Sequence, residues 1–523
     1  MDRKLIVAII LSMGVLFFYP YVIEWYAPKQ AQTETTEATQ TPLASSSGET
    51  AAGMKDAQSK TPALKAELTT VETPLFKAVF TNIGGGIKSL ELKNYFVGEG
   101  KDSPSINISE IVGRSDSFKT QIEEGGIVKE LVMSPSATGI VVKEGDKTEL
   151  VYKGTTATGI AIEKRYLITD ASYLMETVIR ASNPTKDQYT GKAFIQLASN
   201  VAGKDATGYH SGPIISAKGK IIRQADDEQQ KTGAEKLKWI GLEDKYFLSA
   251  VIPAHENGAA WKTTVESVTS AKASVEVPLY LAPGAEQEYK YKTFLGPKEY
   301  DLLVKQKNGI EEAIEFGWFD WMAKPFLVVL NFFERYLGNY GVAIIVLTVL
   351  IKVIFYPLTK KSLHSMNEMK KMQPQMTALK EKYKGNKEKM NKELMELYKR
   401  YNVNPLGGCL PIVLQIPVFI ALYEVLYVAI ELRHAPFFLW LTDLSAKDPY
   451  YITPVLMGAT MFIQQKMTPT SVDPTQAKIM LIMPIVFTFM FLNFPSGLVI
   501  YWLINNILSI VQQYQVMREP SKA

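Results

Sequence analysis

Residues 341–404 read GVAIIVLTVLIKVIFYPL followed by TKKSLHSMNEMKKMQPQMTALKEKYKGNKEKMNKELMELYKRYNVN. The first part is an apolar run whose one charge is Lys352. The second carries twelve Lys or Arg against five Glu, a net of +7, leaving −3 for the rest of a chain whose total is +4. An apolar run of this length suits a helix crossing ~30 Å of hydrocarbon. A dense block of Lys and Arg beside it marks the cytoplasmic side. The pair therefore reads as a membrane span that ends inside.

Four more candidate spans follow, at 406–430, 451–464, 479–494 and 497–511. Three of the five are short for a full crossing. They are either buried core helices of a soluble domain or spans of a locally thin bilayer. The connections decide. Segment 431–450 has Arg433 and Lys447 against Glu431, Asp443 and Asp448; segment 465–478 has Lys466 and Lys478 against Asp473. The tail ends with Arg518 and Lys522 against Glu519. At the other end, 5–23 is apolar after Asp2-Arg3-Lys4. No small-residue cleavage site follows, and Tyr19, Tyr21, Trp25 and Tyr26 form an interfacial belt, so an anchor is expected over a signal peptide. Six crossings from an inside N-terminus place each positive segment inside and the acidic one outside.

Composition agrees. Of 523 residues, 47% are apolar and 21% charged, and the 34 Gly, 27 Pro and single Cys exclude collagen-like, disordered and disulfide-scaffold classes. Cys409 alone forms neither an internal disulfide nor a thiolate zinc site. Segment 28–62 is rich in Thr, Ser, Gln, Ala and Glu without an aromatic residue, and reads as a flexible tether. From 68 to 295 the period changes to two. Strand-like runs lie at 75–80, 87–92, 150–152 and 160–169, and 274–281 with 287–295 reads as a hairpin around Pro283-Gly284. A large all-β sandwich on the outer face is expected. Gly84-Gly85-Gly86 reads as a turn, since no Lys-Ser/Thr follows, and His210 and His255 are isolated.

Segment 311–336 mixes Phe316, Trp318, Phe319, Trp321 and Phe326 with Glu311, Glu312, Glu315, Asp320 and Lys324. It reads as an amphipathic helix in the interface, the alternative being a helix packed on the β-domain. The expected organisation is an anchor (1–26), a linker (27–67), the β-domain (68–300), the interfacial helix (301–337), a second span (338–358), a cytoplasmic helical hairpin (359–404), spans three to six (405–512) and a tail (513–523).

The C-terminal spans contain no Asp and no His; Lys352 and Glu424 are their charged residues. No intramembrane protease site, metal site or Walker A loop can be assembled, so neither an enzyme nor a cofactor is expected. Glu424 falls near the outer end of its span. Lys352 lies well inside, where a cation costs roughly 2.5–3.5 kcal/mol. It either snorkels to the inner surface or faces a wet cavity together with Thr348, one turn away, and Gln415 at comparable depth. In the hairpin, Leu363, Met366, Met369, Met372, Met376 and Leu379 repeat at helical spacing. A break at Lys384-Gly385-Asn386 precedes Met390, Leu394, Leu397, Tyr398 and Tyr401. The methionines suit varied partners or plain helix packing; the lysines suit anionic lipid or ribosomal RNA.

At Asn404-Pro405-Leu406-Gly407-Gly408-Cys409, Pro411, Gln415, Pro417 and Ala421-Leu422-Tyr423 the sequence resembles the YidC/Oxa/Alb membrane protein insertases. The likeness extends through Gly338-Asn339-Tyr340-Gly341, Tyr356-Pro357-Leu358-Thr359, Glu431-Leu432-Arg433, Asp448-Pro449-Tyr450-Tyr451 and Phe494-Pro495-Ser496-Gly497-Leu498. The outer β-domain and first span resemble the Gram-negative bacterial form, with Trp239 to Pro253 as one matching run. The resemblance implies a polytopic α-helical membrane protein with a five-helix core and a large periplasmic β-sandwich. It also implies a hydrophilic groove open to cytoplasm and lipid, placing Lys352, Thr348, Gln415, Tyr501 and Trp502 in that groove. The family's groove arginine is Lys352 here, which keeps charge but loses the planar fork. The tail after Arg518 is short, so ribosome contact falls to 465–478 and to the hairpin, through Lys370, Lys371, Lys380 and Lys382. The implied function is insertion and folding of nascent inner-membrane proteins. Nascent chains, the Sec translocon, the ribosome and membrane lipids are the implied partners, with no DNA, no metal and no cofactor. An envelope scaffold and a small-solute transporter are the competing classes. A scaffold would not need three polar groups at one depth, and a transporter would be expected to show matched broken helices or an ion site.

Overall fold

The computed structural model describes residues 66–518 apart from 101, 112–116, 201–202, 205–208, 226–227, 235, 256–258, 268–269, 384, 402–409 and 468–473. The expected anchor at 5–23, the tether at 28–62 and the motif Asn404–Cys409 lie outside the described residues.

Alternating side chains build the β-domain. Strand Ala161–Thr169 turns every second residue inward, and Ser270–Leu281 repeats the pattern over twelve residues. Each such strand buries one face, and three sheets of five, ten and six strands result. Strands of the ten-stranded sheet pack face to face on those of the six-stranded one, Leu237–Glu243 against Ser270–Leu281. Trp239 is fully buried between them, and its Nε1 donates to the Gly309 carbonyl at 3.0 Å.

The expected hairpin around Pro283-Gly284 is corrected. Both strands exist, as Ser270–Leu281 and Glu286–Pro297, but they do not pair with each other. The first pairs with Tyr189–Ser199 and Ala260–Ser267, the second with Leu174–Ser182 and Phe247–Pro253. The turn is a corner crossing between two sheets. Asn183, in the neighbouring crossing, knits the two corners: its Nδ2 donates to the Leu281 carbonyl at 2.9 Å and its own carbonyl accepts from Gly284 N at 2.8 Å. With the turn's polar groups satisfied by another corner, the strands are free to splay.

The Gly84-Gly85-Gly86 turn is structural. Fully buried Lys164 donates to the Gly84 and Phe118 carbonyls, and Tyr166 OH donates to Gly85 O at 2.7 Å. Burial pushes the Lys164 ammonium well below its ordinary value. Also in the core, Glu243 and Lys298 form an ion pair at 2.8 Å with side chains 0% and 2% exposed, joined by Arg223. Burial opposes both charges, but their mutual attraction wins, lowering the glutamate and raising the lysine.

The helical part comprises α1 (Tyr300–Lys305), α2 (Asp320–Leu337), α3 (Tyr340–Lys382), α4 (Lys387–Arg400), α5 (Leu410–Val428), α6 (Ile452–Met467), α7 (Pro474–Phe491) and α8 (Ser496–Arg518). The second expected span and the first arm of the hairpin are one continuous helix, α3. Among the described residues, α3 carries the one stretch long and apolar enough to cross a membrane by length and composition, 340–379. Helix α8 packs on α3 and α6, α7 packs on α6, and α2 packs on α3 and α5. Val353, Ile354, Ile416, Ile482 and Phe489 stay exposed on α3, α5 and α7. A soluble core would bury them, whereas lipid covers them.

Helix α2 buries Ala323, Leu327 and Leu330 against the bundle rather than the β-domain, and exposes Trp321, Val328, Phe332 and Tyr336 along its other side. Between α2 and α3 the chain reverses at Gly338, whose φ of 63° is the left-handed value glycine adopts freely. Asn339 then caps α3, accepting from Val342 N at 3.0 Å while its Nδ2 donates to the Phe437 carbonyl.

The hairpin forms as expected, with Asn386 capping α4 after the break. Met372 and Leu397 are buried between its arms, with Met369, Met376 and Tyr398 against them, while Leu363 and Met366 pack on Val516 of α8. Helix packing therefore accounts for these methionines.

Candidate functional site

Thr348 and Lys352 lie one turn apart on α3. Thr348 is buried and its hydroxyl donates back to Ile344 O at 2.6 Å, the usual way for a threonine to satisfy itself inside an apolar helix. Lys352, half-buried, directs its Nζ to Ser509 Oγ of α8 at 2.7 Å. The Ser509 hydroxyl in turn donates a hydrogen bond to Asn505 O, one turn earlier, at 2.8 Å. On α5, Gln415 Nε2 donates to Tyr501 OH at 3.5 Å, and Tyr501 is buried on α8. Both residues thus reach α8, but at different levels: Lys352 at Ser509 and Gln415 at Tyr501, eight residues or about 12 Å apart along the helix.

Trp502 differs from Tyr501. Its ring sits among Phe419, Phe487 and Phe491 at 5.0–6.0 Å, an aromatic cluster that ties α5, α7 and α8. Ser509, Asn505 and Asn506 were missed in the sequence reading. Asn505 and Asn506 are both buried, the latter donating to Thr460 Oγ1 of α6 at 3.3 Å. The signal was present as polar residues at i, i+4 and i+8 (Tyr501, Asn505, Ser509) in an otherwise apolar helix. A search for ionisable residues alone passes over it. Gln512 and Gln513 continue this polar run, each with a buried Oε1 lacking a hydrogen-bond partner among the described residues.

Three of the four hairpin lysines singled out from the sequence occupy the solvent side. Lys370, Lys371 and Lys382 are exposed; Lys371 pairs with Glu368 at 2.7 Å and Lys382 lies over the Tyr383 ring. Lys380 is on the same helix, its side chain outside the described residues. No group of His, Cys, Asp and Glu arranged to hold a metal occurs among the described residues.

At the opposite end, the motif residues clamp the β-domain to the bundle. Arg433 donates to the Phe96 and Val97 carbonyls at 2.7 and 2.8 Å, and Glu431 accepts from Tyr300 N at 2.8 Å. Asp448 caps α6 by accepting from Thr453 N and Oγ1, and holds Trp440 Nε1 at 3.0 Å. Burial alone would raise the Asp448 carboxyl, but these donors keep it below the ordinary aspartate value. Ser496 Oγ donates to Asp443 O, fastening the start of α8 to the same loop.

A bundle of lipid-facing helices with a polar interior track, clamped at one end to a large β-domain, defines an integral membrane protein with an appended periplasmic-type domain. The family model described as the 60Kd inner membrane protein matches residues 332–523, and the YidC periplasmic domain matches 68–329. Membrane protein insertase YidC of Syntrophus aciditrophicus is 42% identical, covering 99% of this chain and 100% of its own. That of Geobacter sulfurreducens is also 42% identical, covering 100% and 99%, and that of Citrifermentans bemidjiense 41%, covering 99% of each. The chain belongs to the YidC membrane protein insertase family. It is a non-enzymatic insertase of the inner membrane with a periplasmic domain, and its substrates are nascent membrane proteins.

Proposed function

We propose that the chain crosses the inner membrane six times, with both termini and the hairpin in the cytoplasm and the β-domain outside. It inserts and helps fold nascent proteins, alone or with the Sec translocon, through a cytoplasm-open hydrophilic groove formed by Lys352, Thr348, Gln415, Tyr501 and Trp502. The observation that carries this reading is the Lys352–Ser509 hydrogen bond. It turns a cation toward the polar side of α8, although only Val353 to Leu358 separate it from the expected inner surface. A polar track partway through the bundle shortens the apolar barrier for a client's hydrophilic tail. Partition of the client's apolar segment into lipid then supplies the driving force, ~25 cal/mol per Å² buried. Helix α2, apolar on both sides, lies in the outer interface. The exposed lysines of the hairpin recruit ribosomes or anionic lipid.

The test is crosslinking. Photoreactive probes at positions 348, 415 and 502 should capture a stalled nascent chain, while probes at lipid-facing 354 and 482 should capture far less. Equal capture from both sets would remove the groove. Cysteines at 359–404 should resist an impermeant reagent in intact cells, and cysteines at 100–290 should react; reaction of both would overturn the six-span arrangement.

A further inference from the structure

Glu424 lies fourteen residues beyond the first residue of α5, ~21 Å along the helix at about 1.5 Å per residue. Its neighbours Val425 and Leu426 are buried in the bundle, and Glu424 itself is half-buried. No salt bridge or hydrogen bond to its carboxylate occurs among the described residues. The carboxylate faces a cavity of about 370 Å³ between α5 and the β-domain, with His210, Glu315, Gly317, Tyr423 and Tyr427 on its walls.

The charge of the cavity is unbalanced. Arg223, also on its wall, is spent: its guanidinium holds Glu243, Glu315 and the Ala313 carbonyl. With Lys298 on Glu243, those four charges sum to zero, which leaves Glu424 as the lining charge without an ion-pair partner among the described residues, Lys245 on the Tyr427 ring being a further cation beside the cavity. The Tyr423 and Tyr427 rings stack at 5.6 Å, and Lys245 Nζ sits 3.6 Å from the Tyr427 centroid, so this aromatic pair already attracts one ammonium. Beside Gly317, Trp318 and Trp321 are 96% and 68% exposed. Exposed tryptophans at this level mark the membrane–water boundary. A half-buried carboxylate beside phenols, opening at the headgroup level, calls for a small cation that donates several hydrogen bonds.

We propose that this cavity binds the primary ammonium of an outer-leaflet aminophospholipid headgroup, with the Glu424 carboxylate as its counter-ion and Tyr423 and Tyr427 beside it. A quaternary ammonium has no N–H to offer and is disfavoured; an anionic headgroup meets Glu424 as a like charge. The leaflet rests on the six-span arrangement; the ammonium chemistry does not.

Native mass spectrometry of the delipidated full chain tests it with phosphatidylethanolamine, its N-acetylated form, phosphatidylcholine and phosphatidylglycerol. Phosphatidylethanolamine should bind about tenfold more tightly than the N-acetylated lipid, the size of one charge-assisted hydrogen bond. Glu424→Gln should erase that preference and Glu424→Asp should retain part of it, with both variants melting near the parent temperature. Equal binding of the free and capped amines by the parent chain, or an unchanged preference in a folded Glu424→Gln, would overturn the proposal. A cysteine at 318 that reacts only from the cytoplasmic side would overturn the outer-leaflet assignment and the six-span arrangement, while the binding comparison would still decide the ammonium site.

Discussion

Lys352 Nζ and Ser509 Oγ, 157 residues apart in sequence, meet at 2.7 Å and join α3 to α8. The hydroxyl is a neutral partner, so the lysine is held without being neutralised. A held but uncompensated cation can attract a passing carboxylate, which a tight ion pair could not do.

Insertion of clients with acidic tails should therefore depend on the sign of this residue. Lys352→Arg should retain activity, Lys352→Ala should be intermediate and should spare neutral-tailed clients, and Lys352→Glu should cut acidic-tail insertion about tenfold. Protease accessibility of tails differing only in charge provides the measurement. Equal insertion of acidic and neutral tails by Lys352→Glu at normal expression would remove the charge mechanism.

Recruitment through the hairpin should depend on charge more than shape. Reversing Lys370, Lys371, Lys380 and Lys382 to Glu should weaken ribosome or anionic-vesicle binding, and salt should imitate the change in the parent chain. The packed pair Met372–Leu397 is untouched by those reversals, so helicity should persist. Co-sedimentation at two ionic strengths reads the effect.

The junction should respond to pH through Glu431. Burial, with Glu299 and Asp301 nearby, pushes its carboxyl from 4.5 up to about 7 against the pull of the Tyr300 amide. The native state then holds a proton that the unfolded chain releases. This contribution is full below pH 4.5, falls as pH rises, and is gone above about 7. Glu431→Gln should flatten the loss of melting temperature across that window. An unchanged slope would show that Glu431 titrates normally.

Lys298→Met leaves fully buried Glu243 with Arg223 as its remaining partner. Breaking a buried pair from one side costs about 3–5 kcal/mol, visible in chemical denaturation of the full chain. The double change Lys298→Met with Glu243→Leu should recover much of it.

At the start of α3, Asn339→Ala removes both the cap and the tether to Phe437 and should cost about 1–2 kcal/mol. Gly341→Ala should cost more, because a Cβ there would overlap the Phe437 ring. Thermal unfolding ranks the two.

Sequence alone determined the features that repeat locally or depend on summed charge. The apolar stretches, the +7 block, the period-two strands and the hairpin break at Lys384-Gly385-Asn386 are visible within windows of a few residues, since hydrophobicity and backbone preference act at that range. Counting along each helix sets Lys352, Thr348 and Gln415 at comparable depth, whereas their contacts with α8 are a tertiary matter: Lys352 meets Ser509 and Gln415 meets Tyr501, eight residues apart. Pairing was not legible. The strands at 270–281 and 286–297 were visible as strands, yet their separation into two sheets follows from pairing with strands distant in the chain, Tyr189–Ser199 for one and Leu174–Ser182 for the other, with Asn183 bridging the corner. The stripe Tyr501-Asn505-Ser509 could be read as polar, but only the packing of α8 against α3 showed that it receives Lys352. The opposition of Glu431 to Tyr300 and of Glu424 to a cavity likewise exists only once the β-domain is docked on the bundle. Such contacts arise from complementary surfaces far apart in the chain, and local periodicity does not encode which surface meets which.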